Sequence, residues 1–434
     1  MDGSRFWDGS HRRIILHSDM NCFYANVECL HHPELRDKPV VVGGHEEDRH
    51  GIVLAKNQVA KGYGVQTGEV LWQARQKCPG LVVIPPDYHL YLKFSRLARS
   101  IYYDYTDRVE PFGPDEAWLD ITGSVHLWGG DPLMVADEIS ERVKAELGVT
   151  VSVGVSWNKI FAKFGSDYKK PDAITVISPD NYQDLVWNAP VDELLYVGRA
   201  TKRKLARAGI FSIGDLASTE PGRLKARLGK MGLVLHSFAC GQDVTPVKVL
   251  DPVRSAVDYD IKSIGNGLTA PYDLVDEADA KLLVYLLAES VAQRLRENRV
   301  RAQTVSVAVR HAIDLGGCIH QAPLPLATNI TSELASSAWR LLCEREQIAP
   351  GNPIRALCVR AGTLQGVEAP VQADLFGNQE RRERMERLDA CVDGLRHRFG
   401  NQIVRRASEL GNPRMSHLDI KRDNIVHPVG FFAR

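Results

Sequence analysis

Asp19 closes the apolar run Ile14-Ile15-Leu16, and a second acid pair, Asp115-Glu116, follows the turn signal Gly113-Pro114. Strand-end acids far apart in a chain can meet on one sheet edge, where such carboxylates hold hard divalent cations through oxygen. Two Mg²⁺ ions about 4 Å apart can activate a hydroxyl and stabilise a leaving pyrophosphate. Acids at strand ends and turns are also common as plain solvated groups, and Asp120 reads as a cap on the turn that follows it. Two adjacent aromatics, Phe23 and Tyr24, stand just beyond Asp19; for rings after a strand the ordinary reading is core packing.

The elements that must position these groups are legible from pattern. Residues 14–17, 39–43 and Ala117–Ile121 read as strands, residues 132–147 carry apolar side chains at helical spacing, and VTVSVGVS, from Val149, alternates as a β-branched strand. That strand runs into Asn158, an N-cap for a helix containing Ile160, Phe161 and Phe164. Strands and helices interleave to about residue 180, and the pattern from Val191 to Cys240 is helical. An extended segment begins near 251–260. A helix over Asp276–Arg296, a strand through Val305, Val307 and Val309, a helix over Thr331–Glu346 and a strand over Ile354–Val359 then give a β-α-β-(β)-α-β order, a separate small α+β domain. After Gly366 the chain turns polar, and MERLDACVDGLRHRFG, from Met385, has helical periodicity with Met385, Leu388, Val392, Leu395 and Phe399 on one side.

The 434 residues suggest roughly three domains. No apolar run is long enough for a membrane span and the N-terminus has no signal-peptide core, so the expectation is a cytoplasmic protein without membrane contact. The eight cysteines form no C-x-x-C pair and no Cys/His group at zinc spacing, which predicts reduced thiols. His31-His32 reads as a turn before Pro33. Lys+Arg and Asp+Glu are both 54, so distribution matters more than total. Between Gly198 and Lys230 nine basic residues face only Asp215 and Glu220, either a phosphate-binding surface or a solvated helix face.

Jointly the motifs carry more than any one of them. SDMNCFYANVE (from Ser18) and PDEAWLD (from Pro114) resemble the two catalytic motifs of the Y-family, or translesion, DNA polymerases, and VGVSWNKIFAKFGSDYKKP (from Val153) resembles that family's third strand-helix motif. The resemblance spans about residues 13–365 and the tail, and is nearest to the bacterial polymerase IV-like (DinB-like) branch. It implies an α+β multidomain, right-hand polymerase: palm over 1–30 and 85–185, small fingers over 31–84, helical thumb over 186–250, little finger over 251–365, and a tail over 366–434.

The resemblance further implies that Asp19, Asp115, Glu116 and the Met20 carbonyl hold two Mg²⁺ ions, with Mn²⁺ able to substitute. Tyr24 takes the steric-gate position, where a ring beneath the sugar excludes a 2′-hydroxyl; Phe23 belongs beside it, in the core or against substrate. Lys170 matches a triphosphate-contacting lysine. In VLAKNQVAKGYGV, Gln58 and Lys61 replace a tyrosine and an arginine of relatives, and Asn21 replaces a frequent aspartate, departures that predict weaker nucleotide binding and a lower local charge. Ile52 and Leu54 would roof the base pair. YVGRATKRKLARAGI (from Tyr196) resembles the thumb's helix-hairpin-helix, with Tyr196 in place of one glycine; Gly198, Arg199 and Lys202 there, and Lys262 in KSIGNG, are implied DNA contacts. Arg294, Arg296, Arg299 and Arg301 form a second basic cluster. QADLF, through Gln372, Asp374, Leu375 and Phe376, resembles a sliding-clamp peptide. The implied protein is a monomeric, low-fidelity, template-directed polymerase with primer–template DNA, dNTPs and the bacterial clamp as partners. A catalytically silent clamp-bound adaptor and a nucleotidyl cyclase are the alternatives; the intact acids disfavour the first, and the thumb-like hairpin and QADLF disfavour the second.

Overall fold

The computed structural model describes residues 13–44, 51–249, 261–370, 379–415 and 418–423. Contacts divide the chain into two units, one running to Asp251 apart from 44–52 and the other running from Pro252.

In the first unit the elements are β1 (Ile15–Met20), α1 (Phe23–His31), β2 (Val40–Gly43), β3 (Val53–Lys56), α2 (Gln58–Gly62), α3 (Leu71–Lys77), β4 (Val82–Ile84), α4 (Tyr88–Tyr103), β5 (Val109–Pro111), β6 (Glu116–Asp120), α5 (Pro132–Leu147), β7 (Val151–Ser156), α6 (Lys159–Tyr168), β8 (Ile174–Val176), α7 (Arg199–Ala206), α8 (Ile213–Ser218), α9 (Pro221–Leu228) and α10 (Lys230–Ala239). The main sheet has the order β5-β6-β1-β7-β8, with β1 antiparallel to both neighbours. A smaller sheet, β3-β2-β4, has its own apolar cluster around Val41, Val53 and Leu71.

Strand β1 is buried along its whole length, so its period of two sorts side chains between two covered faces. Leu16 and Met20 join the core beneath α1, α4 and α5, and Ser18 meets the Tyr102 hydroxyl at 2.9 Å. His17 and Asp19 point the other way, towards α6. Asn158 caps α6 by accepting from the Phe161 N–H at 2.8 Å, as its sequence predicts. The helix lies on β7 with no side chain between them: a Cβ on Gly154 would stand 1.8 Å from the Ala162 carbonyl oxygen, and one on Gly165 would stand 3.1 Å from the Gly154 Cα. His17 Nδ1 to Ser166 Oγ, 2.8 Å, fixes the helix over β1. His31 ends α1 rather than lying in a turn, because the helix continues until its cap N–H at His32 reaches the Glu28 carbonyl.

In the second unit β9 (Ser263–Leu274), α11 (Glu277–Glu297), β10 (Val300–His311), β11 (Gly317–Thr328), α12 (Thr331–Arg345), β12 (Ile354–Gly366) and α13 (Gln379–Phe399) follow in the order read from the sequence. Four antiparallel strands, β11-β10-β12-β9, carry α11 and α12 on one face over a single apolar core. The extended start expected at 251–260 lies outside the described residues. Helix α13 departs from its sequence pattern: Leu388, Leu395 and Phe399 are exposed, and the helix docks through charge. Asp393 takes both arms of Arg296 at 2.6 and 2.9 Å, and Asp389 accepts from Arg296 at 3.2 Å and from the first N–H of α12, on Thr331, at 2.8 Å. Glu386 pairs with Arg301 at 3.2 Å, and Arg382 with Glu333 at 2.8 Å.

Candidate active site

The register of β1 against β6 sets Asp19 opposite Glu116, and the Met20 N–H donates to the Asp115 carbonyl at 3.1 Å. Directly paired residues of antiparallel strands share a face, so Asp19 and Glu116 both project beneath α6, with Asp115 at the strand mouth. The three acids expected to act together are therefore gathered within one register step. The conformation that presents Asp115 depends on Gly113, whose φ of 101° is open to glycine but rarely to other residues.

Helix α6 supplies the cations. Lys163, Asp167 and Lys170 recur at the spacing of one helical face and its continuation. Lys163 Nζ lies 2.5 Å from Glu116 Oε2 and 3.6 Å from Asp167; Lys170 Nζ lies 2.6 Å from Asp19 Oδ2 and 2.7 Å from Asp167 Oδ1. Burial would lower the Lys170 ammonium, but the Asp19 and Asp167 charges outweigh it and hold it above its ordinary value. The acids move the other way. Burial, followed by the Asp19 and Glu116 charges, pushes the Asp115 carboxyl up to about 7. Burial and the Glu116 charge, against the pull of Lys170, leave Asp19 at about 6. Their ionised forms are short of positive charge. His17, buried under Lys163, is lowered to about 3 and stays neutral; its Nε2 is 3.3 Å from Glu116 Oε2 without hydrogen-bond geometry.

Tyr24, on the first turn of α1, stacks on Tyr91 with ring centroids 4.1 Å apart and planes 12° from parallel. Tyr91 is fully buried and donates to the Glu28 carboxylate, so the Tyr24 ring has a fixed backing. Phe23 is buried in the core beside both rings. Asn21 is buried too, but its side chain faces β7: it donates to Thr150 Oγ1 at 3.1 Å and accepts from Ser152 Oγ at 2.9 Å. The residue read as a missing charge is a strand-to-strand tie.

Gln58 begins α2, capped by Asn57, which accepts from Ala60 N–H at 2.9 Å and from Val40 N–H at 3.1 Å. Gln58 Nε2 reaches Cys22 Sγ at 3.5 Å. Burial raises the Cys22 thiol while the ammonium charges of Lys61, Lys56 and Lys170 oppose that rise, so three lysines direct their fields at the turn after Asp19. Lys56 was not anticipated; its side-chain direction depends on the β2–β3 pairing, which no local pattern fixes. Lys163 and Asp167 were also missed, although their helical spacing with Lys170 was present to be read. Leu54 packs on the same core as Tyr24, and Ile52 is exposed. Asp120 accepts from the Thr122 N–H at 3.1 Å, a turn cap.

At the helical end of the unit, Tyr196 takes a left-handed φ of 70°, the glycine conformation, and Gly198 is the N-cap residue of α7. Gly198, Arg199 and Lys202 are exposed, with Lys202 2.8 Å from Asp192. In the second unit Lys262 is exposed. The basic cluster expected at Arg294–Arg301 is not a free cationic surface. Arg296 and Arg301 are neutralised by α13, Arg299 pairs with Glu368 at 3.0 Å, and Arg294 is partly buried, donating to the Gly265 carbonyl at 2.9 Å. Gln372, Asp374, Leu375 and Phe376 lie outside the described residues. No helix of the described residues is long and apolar enough to cross a membrane.

The impB/mucB/samB family model matches residues 18–167, and the model of that family's C-terminal domain matches residues 261–375. The chain is 50% identical to the DNA polymerase IV of Acetivibrio thermocellus, covering 91% of this chain and 97% of that one. It is 38% identical to the DNA polymerase IV of Moorella thermoacetica (91% and 96% covered) and 35% identical to DNA polymerase IV 1 of Bacillus subtilis (92% and 93%). Among solved structures, a Y-family DNA polymerase chimera matches with a TM-score of 0.69 at 25% identity, covering 81% of this chain and 98% of its own.

Proposed function

Because the chain belongs to the Y-family DNA polymerases, in the DNA polymerase IV group, and so is a DNA-directed DNA polymerase, we propose that its chemistry is centred on Asp19, Asp115 and Glu116. The single observation that carries this reading is the crowding of three carboxylates on one strand register with too little positive charge: burial, with the Glu116 charge at Asp19 and the Asp19 and Glu116 charges at Asp115, holds the two at about 6 and 7. An all-oxygen, electron-rich set of this kind fits hard divalent cations. Two Mg²⁺ ions held by these acids and the Met20 carbonyl, with Mn²⁺ as substitute, would supply charge stabilisation for the attacking 3′-hydroxyl and the leaving pyrophosphate.

This chain's own side chains do the rest. Lys163 fixes the Glu116 carboxylate, and Lys170 fixes Asp19, so these acids are oriented before substrate arrives. Lys56, Lys61 and Lys170 direct positive potential at the turn where a triphosphate enters, and Gln58 adds a neutral donor. Lys61 offers a point charge in place of a two-pronged grip, which predicts weak nucleotide binding. The Tyr24 ring, backed by Tyr91, blocks the space of a 2′-hydroxyl. Residues 1–30 and 85–185 serve as palm, 31–84 as fingers, 186–250 as thumb, 251–365 as little finger and 366–434 as tail. Gly198, Arg199, Lys202 and Lys262 grip DNA phosphates without reading sequence. Low fidelity, recruitment by the sliding clamp through Gln372–Phe376, monomeric state and a cytoplasmic setting complete the proposal.

Primer extension on a primer–template with Mg²⁺ tests it. Asp115→Asn is expected to lose extension while remaining folded; extension at the wild-type rate refutes the acid assignment. Tyr24→Ala is expected to gain ribonucleotide incorporation, and no gain refutes the gate.

A further inference from the structure

The hairpin of β10 and β11 collects a group of side chains that the polymerase reading does not use. Their register places Cys318 opposite Val309 and His320 opposite Val307. Both valines belong to the core, so Cys318 and His320 share the face that α12 covers. The hairpin is closed by the His311 N–H donating to the Gly316 carbonyl at 2.9 Å, which brings His311 back beside Cys318. Helix α12 ends at Arg345, and its C-cap residue, Glu346, turns into an extended conformation. The Glu346 carboxylate then meets all three: Oε1 lies 3.0 Å from Cys318 Sγ and 2.6 Å from His320 Nε2, and Oε2 lies 3.7 Å from His311 Nε2. Cys318 Sγ and His320 Nε2 are 3.3 Å apart.

Hydrogen bonds among Cys318, His320 and Glu346 leave one atom of the group over. His311 Nδ1 is buried with no hydrogen-bond partner among the described residues. His311, Cys318 and Glu346 each offer a ligand atom, all within 4.8 Å of one another. Zinc bonds of roughly 2.0–2.3 Å give a tetrahedron with edges of about 3.3–3.8 Å. The Cys318–His320 separation of 3.3 Å and the His311–Glu346 separation of 3.7 Å are on that scale, while the contacts of Glu346 Oε1 at 2.6 and 3.0 Å are hydrogen-bond lengths that an entering ion would open. The donor set mixes nitrogen, sulfur and oxygen, which suits a borderline-soft ion and not Mg²⁺. One thiolate and one carboxylate neutralise a dication.

The geometry points to a transition-metal site of the zinc class, held by His311, Cys318 and Glu346 with His320 as fourth donor, that clips the β10–β11 hairpin to the end of α12. Binding forms a metal–sulfur bond and releases the Cys318 proton to solvent. With four protein donors the site is closed and its role is structural.

Full-length protein, stripped with chelator and dialysed, is titrated with Co²⁺ and then Zn²⁺. The expected result is one equivalent of Co²⁺ giving a thiolate-to-cobalt charge-transfer band with the visible bands of a tetrahedral ion, bleached by one equivalent of Zn²⁺, and a raised melting temperature with Zn²⁺. The acids at Asp19 and Asp115 also take Co²⁺ but contribute no thiolate band. Cys318→Ala is expected to abolish the band, His311→Gln to weaken Co²⁺ binding at least tenfold, and Cys343→Ala, an exposed thiol on α12, to change neither. Absence of the band in the wild type, or its survival in Cys318→Ala, overturns the site. If Cys318→Ala does not fold, His311→Gln decides: unchanged affinity overturns it.

Discussion

The Arg296 guanidinium and the Asp115 carboxylate are both charges carried at sheltered positions, and the fold treats them differently. Arg296 receives two carboxylates, a backbone carbonyl and a hydroxyl, so every arm of its fork is matched. Asp115 receives two like-charged neighbours, and its pKa climbs to about 7. A matched buried charge fastens one helix to another. A cluster left short of countercharge costs stability by itself and acquires its value only when a cation arrives from outside. Charge left unbalanced by the fold is the better pointer to chemistry.

Perturbing each side tests the contrast. The largest effect is expected at the acids: Asp115→Asn lowers primer extension roughly 10³-fold, about 4 kcal/mol of barrier. The same variant reverses sign in stability. A carboxyl raised in the folded state contributes stability below its ordinary value, near 4, and loses it as pH rises through about 7. In chelator, wild type and Asp115→Asn are expected to melt together below about pH 4, with the variant increasingly more stable up to pH 8; adding Mg²⁺ at pH 8 closes the gap. A gap independent of pH refutes the frustrated-acid reading.

Arg296→Ala is expected to cost about 3 kcal/mol in denaturant unfolding, because Asp393 loses its sheltered guanidinium partner and Asp389 keeps only the Thr331 N–H. A cost near zero would show that the α13 network is ornamental. Tyr91→Leu removes the backing of Tyr24 and is expected to raise ribonucleotide use by a smaller factor than Tyr24→Ala, read as the ratio of incorporation efficiencies. Smallest of all is Arg299→Ala, whose pair with Glu368 is exposed on both sides; a shift within about 0.5 kcal/mol is expected, calibrating what a surface pair contributes.

Much of this is legible in the sequence. The apolar run of β1, the alternation in β7 and the cap at Asn158 are local signals, and the strands and helix they mark are present. The β-α-β-β-α-β order of the second unit was equally local. What failed to show was of two kinds. Periodicity marks Leu388, Leu395 and Phe399 as one side of α13, but the partner surface is polar, so the neighbouring charged side docks instead; a helix pattern reveals its own stripe and nothing about the partner. The grouping of His311, Cys318, His320 and Glu346 was equally invisible, because it is made by a hairpin register and a helix end instead of a short local spacing. Asn21 illustrates the same limit, since its Thr150 and Ser152 partners come from across the sheet.

The contact of α6 with the bare backbone of Gly154 has a mechanical consequence. A helix resting on side chains can adjust by rotamer changes beneath it, but one resting on main chain has no such cushion. Lys163 and Lys170 are therefore delivered to their acids by a rigid bracket, and an added methyl at Gly154 would be felt as misaimed ammonium groups as well as lost packing.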